Sequence, residues 1–145
     1  MTTDNSSSKS LTFFLEEQIP FNKHLGIKVV AAENGFARLL LPFKPEFVGD
    51  PRRPALHGGI LSTLIDTCGG TALWTRCRVN DAIATIDMRV DYLRPAPEAD
   101  LIAESNVRLM GNRVGNVHTR VFIEEKPDQS IAEGRAVYNI RRKTS

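Results

Sequence analysis

The sequence contains little cysteine: Cys68 and Cys77 are the only two in 145 residues. Both fall in one segment that we predict to be helical, where their spacing places them about 13 Å apart along the axis. That distance prevents a disulfide within the helix. Neither cysteine has zinc-like spacing with any of the 3 histidines. We therefore expect reduced, buried thiols, no metal site and no redox cofactor.

Long hydrophobic runs are also missing, and no stretch approaches the 18 or more apolar residues of a membrane span. The first ten residues are polar and rich in serine, without the apolar core of a secretory signal. We predict a disordered tail over residues 1–10, a single domain over residues 11–145 and a cytoplasmic location. No membrane partner is expected.

A strong charge of either sign is absent, since the formal net charge is +2 at pH 7. The basic end Arg141-Arg142-Lys143 is too short for a nucleic-acid-binding arm, so no nucleic acid is expected as a partner. The sequence has no G-x-S-x-G motif, which argues against a serine hydrolase. It also has no glycine-rich loop of the kind that binds phosphates.

The patterns that are present predict an α+β domain. Asn34-Gly35 is a strong hairpin signal between two apolar stretches. A short helix is expected to end before Pro20, and a long apolar helix is expected from His57 to about Arg78. Alternation of apolar and polar residues predicts strands over residues 25–33, 36–41, 83–93, 101–110, 114–125 and 131–141. Short connections make the strands antiparallel, and the helix then lies on one face of a curved sheet of five to six strands.

The predicted long helix has unusual residues at its start and middle. Gly58 and Gly59 open it, so their amides are unpaired and lie at the positive end of the helix dipole. Such amides suit a developing oxyanion. Asp66 could act as a base or a nucleophile. It shares a face with Gly59 and Gly70, and the small residues of this face predict that a second element packs against it.

The distance between these groups favours two subunits. Gly58 and Asp66 are separated by eight residues, or about 12 Å along one helix. A reacting carbonyl must lie within about 3.5 Å of both donor and attacker. Two such helices packed antiparallel would bring Asp66 of one close to Gly58 of the other. The spacing therefore predicts a two-fold homodimer with two shared sites.

These elements resemble the hot-dog-fold thioesterases of the phenylacetate-degradation type. The resemblance rests on His57-Gly58-Gly59, on Asp66 nine residues after the histidine, on Gly69-Gly70 and on the strand from Thr85 to Ala96. It implies one helix wrapped by an antiparallel sheet, and dimers or dimer-of-dimers tetramers. It also implies hydrolysis of acyl-coenzyme A thioesters.

The resemblance further implies roles for single residues. The amide of Gly58 would bind the thioester carbonyl, Asp66 of the other subunit would activate water or attack directly, and Thr85 would help to place the water. His57 is a catalytic candidate, with a hydrogen-bonded cap as the alternative. The family commonly has an asparagine six residues before this histidine, where this chain has Pro51, with Asp50 beside it.

We therefore expect a cofactor-independent acyl-coenzyme A thioesterase. Its expected catalytic residues are Asp66, Gly58, Thr85 and His57, and its expected substrate-binding residues are Asp50, Gly59, Arg94 and Arg113. The two arginines are candidates for the phosphates of coenzyme A because both lie beside turns at strand ends. A binding module on the same fold that does not hydrolyse the thioester is the alternative, because Pro51 replaces the family's asparagine.

Overall fold

The computed structural model describes residues 5–143. Its helices are α1 (Asn5–Phe13), α2 (Pro20–Leu25) and α3 (Gly58–Trp74), with a π-helical turn at Phe14–Gln18. Its strands are β1 (Lys28–Glu33), β2 (Phe36–Leu41), β3 (Val48–Asp50), β4 (Ala55–Leu56), β5 (Ala82–Tyr92), β6 (Leu101–Met110), β7 (Val114–Phe122) and β8 (Ala132–Arg141). None of the described helices is long and apolar enough to cross a membrane.

Six of these strands form one antiparallel sheet in the order β1-β2-β6-β7-β8-β5. Strands β3 and β4 form a separate small hairpin immediately before α3. Helix α3 packs against one face of the large sheet, on strands β2, β5, β6, β7 and β8. The expected α+β hot-dog architecture, with one long helix and a sheet of six strands, is confirmed.

The core lies between α3 and the sheet. Leu64, Ile65 and Cys68 of the helix are fully buried, and they face inward-pointing residues of the strands. Towards its C-terminal end α3 is more deeply buried, because every residue from Gly69 to Leu73 is buried. The helix ends at Trp74, four residues earlier than the sequence pattern indicated.

The hairpin between β1 and β2 confirms its sequence signal. Asn34 and Gly35 both have positive φ, at 44° and 82°, as a tight two-residue turn of this kind requires. Strand β1 begins later than expected, at Lys28. Leu25, where the strand was expected to begin, is the last residue of α2, and Gly26 ends that helix with a φ of 83°.

The N-terminal segment differs from its prediction. Residues 1–4 lie outside the described part of the chain, but α1 already begins at Asn5, within the segment expected to be disordered. Leu11 and Leu15 are buried, which fixes the segment to the rest of the protein. The helical stretch ends at Gln18, and Ile19 is extended before Pro20, as the sequence predicted. Pro20 then opens the separate helix α2, because the first turn of a helix tolerates a residue without an amide hydrogen.

Candidate active site

The start of α3 leaves one amide available. His57 is the N-cap residue, and its Nδ1 accepts a hydrogen bond of 2.8 Å from the amide of Gly59. The amide of Ile60 donates to the carbonyl oxygen of His57 at 3.0 Å. Among the described residues, no acceptor pairs with the amide of Gly58. Of the two glycine amides expected to bind substrate, that of Gly59 is therefore occupied by the cap and that of Gly58 is not.

Tyr92 lies beside Gly58, and no feature of the sequence singled it out. Its hydroxyl donates to the carbonyl oxygen of Gly58 at 3.3 Å. A Cβ atom added at Gly58 would lie 3.3 Å from the Tyr92 ring. Tyr92 is 53% exposed. Tyr92 therefore connects the last residue of β5 to the first residue of α3.

Asp66 lies in the middle of α3 and is half-buried. Thr85 of β5 donates its hydroxyl hydrogen to the Oδ1 atom of Asp66, at 2.6 Å. A register shift in the pairing of β5 with β8 falls between Thr85 and Asp87, so Thr85 lies next to a β-bulge. Bulges re-aim side chains. The structure thus brings together two of the four expected catalytic residues within a single chain.

Tyr138 of β8 supports α3 at the same turn. Its buried hydroxyl donates to the backbone carbonyl of Asp66 at 2.9 Å. Burial, followed by the negative charge of Asp66, raises the pKa of Tyr138 far above its ordinary value, so the hydroxyl stays protonated. The sequence pattern marked Tyr138 only as a strand residue.

The position of Tyr138 corrects the interpretation of the small residues in α3. A Cβ atom at Gly69 would lie 2.3 Å from the Tyr138 hydroxyl, and one at Gly70 would lie 3.8 Å from the ring. At Gly70, the second element expected over this face is therefore Tyr138 of the same chain. Gly59 and Thr63, at the other end of that face, are not buried.

A cavity of about 150 Å³ opens beside Asp66 and Thr85. Its lining combines apolar and polar side chains, and three parts of the chain contribute to it. The segment before β1, helix α3 and strands β5 and β8 each supply part of the lining, and the cavity is open to solvent. The lining residues are Leu15, Ile19, Asn22, Asp66, Thr67, Gly70, Trp74, Ile83, Thr85 and Tyr138.

Asp50 lies close to the start of α3 but is already engaged. The β3–β4 hairpin holds it there, since the amide of His57 donates to the carbonyl of Phe47 at 2.8 Å. The amide and the guanidinium of Arg52 both donate to the Asp50 carboxylate, at 2.9 Å and 3.1 Å. The Arg52 side chain, and then its amide, lowers the pKa of Asp50 below its usual range.

The two arginines expected to bind phosphates lie at opposite ends of the sheet. The guanidinium of Arg94 donates to the carbonyl of Ser130, and this end of β5 also carries Tyr92. Arg113 lies in the turn before β7, and its carbonyl accepts from the amide of Ile140 at 2.7 Å. The structure does not bring them together, because each lies beside a different end of α3.

The cysteines lie apart from this site. Burial raises the pKa of the Cys68 thiol to about 12, and burial also raises that of Cys77. Both thiols are therefore poor nucleophiles at neutral pH. Among the described residues, no cluster of three or more histidine, cysteine or acidic side chains could hold a metal ion.

The chain matches the sequence profile of the Thioesterase superfamily over residues 54–128. A protein of Halobacterium salinarum is 37% identical over 125 residues, 81% of this chain and 82% of that protein. The medium/long-chain acyl-CoA thioesterase YigI of Escherichia coli is 30% identical over 135 residues, 84% of this chain and 86% of that protein.

Solved structures show the same architecture. A crystal structure of a thioesterase-superfamily protein is 34% identical, with a TM-score of 0.85, and covers 94% of this chain and 100% of that one. The PaaI protein of the E. coli phenylacetic acid degradation operon is 21% identical, with a TM-score of 0.82, over 97% of this chain and 96% of that one. At that identity, the second similarity supports the fold alone.

Proposed function

This chain belongs to the thioesterase superfamily, and from that premise we propose that it hydrolyses acyl-coenzyme A thioesters to the free acid and coenzyme A. The observation that carries the proposal is the Asp66 carboxylate, held by Thr85 in a cavity that Leu15, Ile19 and Ile83 also line. A carboxylate fixed beside an apolar pocket can activate water against an acyl group that the pocket binds.

The proposed site is shared between two subunits. Gly58 and Asp66 lie on one continuous helix, so eight residues separate them by about 12 Å. No single carbonyl can contact both groups within one chain. We therefore propose a homodimer in which the Gly58 amide of one protomer faces the Asp66 of its partner. Two such dimers could form the tetramer that the family resemblance implies.

Strand β5 supports this arrangement. It is an edge strand of the sheet, and Ile86 on it is 58% exposed. A long, exposed apolar edge is a template for pairing with another chain. One part of β5 carries Thr85, in contact with Asp66, and its end carries Tyr92, in contact with Gly58. Antiparallel pairing of two β5 strands about a point between these residues would bring the Asp66 of one protomer to the Gly58 of the other.

The proposed reaction needs no strong general acid, because a thiolate is a good leaving group. Asp66 takes a proton from a water placed by Thr85 while the water oxygen bonds to the acyl carbon. The Gly58 amide donates to the oxyanion that forms, with the helix dipole behind it. Collapse breaks the carbon–sulfur bond, and the released thiolate regains a proton from Asp66.

Direct attack by Asp66 is the other route to the same products. The carboxylate would form a mixed anhydride and expel the thiolate, and water would then hydrolyse the anhydride. Turnover in oxygen-18 water separates the routes. Label found in Asp66 by peptide mass spectrometry after many turnovers identifies an anhydride that water opens at the Asp66 carboxyl carbon. Label confined to the released acid excludes that route and leaves general-base catalysis, or an anhydride that water opens at the acyl carbon.

The remaining candidates have supporting roles in the proposal. His57 caps α3 and thereby leaves the Gly58 amide as the donor to substrate. Arg94 is the better-placed arginine for a coenzyme A phosphate, because it lies at the end of β5 that reaches Gly58. Arg113 lies beside the other end of α3 and would contribute only if the coenzyme extends that far. Asp50 would contact substrate only after release from Arg52.

Thiol release from acyl-coenzyme A substrates tests the function. Asp66→Ala should lower kcat by about a hundredfold or more while the protein remains dimeric. Asp128→Ala, an exposed acid in the β7–β8 loop, is the matched control and should retain wild-type turnover. Unchanged thiol release by the Asp66 variant would reject the assignment.

The alternative is a binding module, and the engagement of Asp50 by Arg52 is the observation that favours it. An ionised Asp50 accepts hydrogen bonds and cannot replace the amide donor of the family's asparagine, so the Gly58 amide is the donor left for the carbonyl of the ligand. The wild-type protein would then bind acyl-coenzyme A without releasing thiol. Calorimetric binding measured beside the thiol assay distinguishes the two functions.

A further inference from the structure

We propose that Tyr92 is a positioning residue for the reaction: from the end of β5 it holds the first turn of α3, so that the Gly58 amide stays aimed at the substrate carbonyl. This role rests on the proposed function, because it assigns that amide to the oxyanion. It adds a side chain that acts through Gly58 rather than on the reacting atoms, and it concerns the chemical step rather than the binding of substrate.

Gly58 needs support from outside the helix if its amide is to be a fixed donor. The first amides of a helix have no partner within it, and glycine has more backbone freedom than any other residue. Gly58 is the first residue of α3, and the N-cap bond goes to Gly59 instead. An oxyanion donor is effective because it is oriented before the charge develops. The contacts that hold Gly58 therefore bear directly on the rate.

The two peptide groups that meet at Gly58 are held by different partners. In the group before it, the carbonyl of His57 accepts from the amide of Ile60 at 3.0 Å. In the group after it, the Gly59 amide donates to the Nδ1 atom of His57 at 2.8 Å. The carbonyl of that second group accepts from the Tyr92 hydroxyl at 3.3 Å. Gly58 is the joint between the two groups, so Tyr92 and His57 together set the direction of its amide.

The Tyr92 ring adds a packing contact to this bond. Setting aside the helix backbone and the adjacent residues, the three atoms nearest to a Cβ placed at Gly58 all belong to Tyr92, at 3.3 to 3.8 Å. The ring therefore rests on the bare side of Gly58. At 3.3 Å the hydroxyl bond is longer than most O–H···O bonds, so we assign the larger part of the support to the ring.

The backbone that carries Tyr92 is itself fixed. Tyr92 pairs with Ala132 at the end of β5, and the amides of the next two residues both donate to the carbonyl of Ile131, at 2.9 Å and 3.0 Å. The same strand holds Asp66 through Thr85. Strand β5 thus orients both the carboxylate and the amide of its own chain.

Ser62 provides a matched control, because its hydroxyl donates to the same Gly58 carbonyl at 3.2 Å. It reaches that carbonyl from one turn further along α3, so it cannot tie the helix to the sheet. Its hydroxyl also lies 3.3 Å from the carbonyl of Gly59. Ser62→Ala should therefore keep the wild-type kcat, although it removes a bond of similar length.

Thiol release by two Tyr92 variants measures the effect on the reaction. Tyr92→Phe keeps the ring and should lower kcat about threefold, whereas Tyr92→Ala loses both contacts and should lower it about tenfold or more. KM should stay at its wild-type value in both, since the lost support acts on the donor to the oxyanion. Sedimentation and thermal melting establish that the variants compared are folded dimers.

Nitrogen-15 relaxation of glycine-labelled protein measures the order of the amide without turnover. The chain has 10 glycines, so the spectrum is simple, and Gly58→Ala identifies the Gly58 signal by its loss. The Gly58 order parameter should be about 0.85 in the wild type and fall towards about 0.6 in Tyr92→Ala. Gly69, buried further along α3, is the internal reference and should be unchanged, as should Gly58 in Ser62→Ala.

The two measurements separate the role of Tyr92 from the proposed hydrolysis. An unchanged Gly58 order parameter in folded Tyr92→Ala, or an unchanged kcat, would overturn the inference while leaving the hydrolysis intact. A raised KM with wild-type kcat would also overturn it, because Tyr92 would then bind substrate. Loss of order at Gly58 in a protein whose wild type releases no thiol would uphold the support from Tyr92 and reject the hydrolysis.

Discussion

At the scale of single residues, the amide of Gly58 is the group whose role can be removed most cleanly. Gly58 is the first residue of α3, and His57 before it has φ −61° and ψ 134°. Proline suits both the first helical position and such a preceding residue. Gly58→Pro should therefore keep the helix but lose the N–H, lowering kcat by about a hundredfold to a thousandfold.

Gly58→Ala is the matched control for that measurement. It adds the same Cβ atom, 3.3 Å from the Tyr92 ring, and keeps the N–H. Steady-state thiol release by both variants, compared at equal folded fraction, separates loss of the donor from crowding of the ring. Equal losses in the two variants would contradict the assignment of the amide to the oxyanion.

Gly69 is needed for packing within the chain, because it leaves room for the Tyr138 hydroxyl. Gly69→Ala should lower the free energy of unfolding by about 1–3 kcal/mol, because its Cβ would lie 2.3 Å from the buried Tyr138 hydroxyl. Gly70→Ala, with 3.8 Å to the same ring, should be neutral or stabilising, since alanine favours the helix. Urea denaturation measures both. In the Tyr138→Phe background, Gly69→Ala should cost less unfolding free energy than it does in the wild type. Additive effects of the two substitutions in this double-mutant cycle would contradict the contact between Gly69 and Tyr138.

At the scale of secondary-structure elements, β5 carries the argument for two subunits. Ile86→Lys places a charge on the exposed edge, where pairing of two copies would bring the two lysines together. We expect the variant to be monomeric by sedimentation and to lose most thioesterase activity. Leu109→Lys, at a more exposed position on β6, should remain dimeric and active. A monomeric Ile86 variant with full activity would show that one chain suffices.

The elements differ in how far the sequence predicted them. Alternation and turn residues predicted β2 and β6 to the residue and the other long strands to within a few residues, because each pattern reports burial on one face of a sheet. The segment before β1 was not predicted in the same way. Its π-helical turn and α2 depend on distant partners, such as the bond from the amide of Val29 to Glu16 at 2.8 Å. That segment supplies a wall of the cavity, so part of the pocket had no local signal.

At the scale of the whole molecule, the sequence indicated the candidate site residues themselves, but it did not indicate the side chains that contact them. Gly58, Asp66 and Thr85 were predicted because glycine and aspartate are costly inside an apolar helix and because the resemblance extends to β5. Tyr92 and Tyr138 were not, since an alternating strand pattern does not reveal which hydroxyl reaches a distant helix. The glycine pair in α3 indicated a close approach correctly, but the approaching group belongs to the same chain.

The central claim is that each site takes its carboxylate from one subunit and its amide from the other. Its most direct test is a heterodimer of one Asp66→Ala chain and one Gly58→Pro chain, co-expressed with different tags and purified through both. No chain in this heterodimer carries both groups, yet one of its two sites is intact if the site is shared. We predict about half of the wild-type thiol release per dimer. A heterodimer no more active than either parent homodimer would contradict the account.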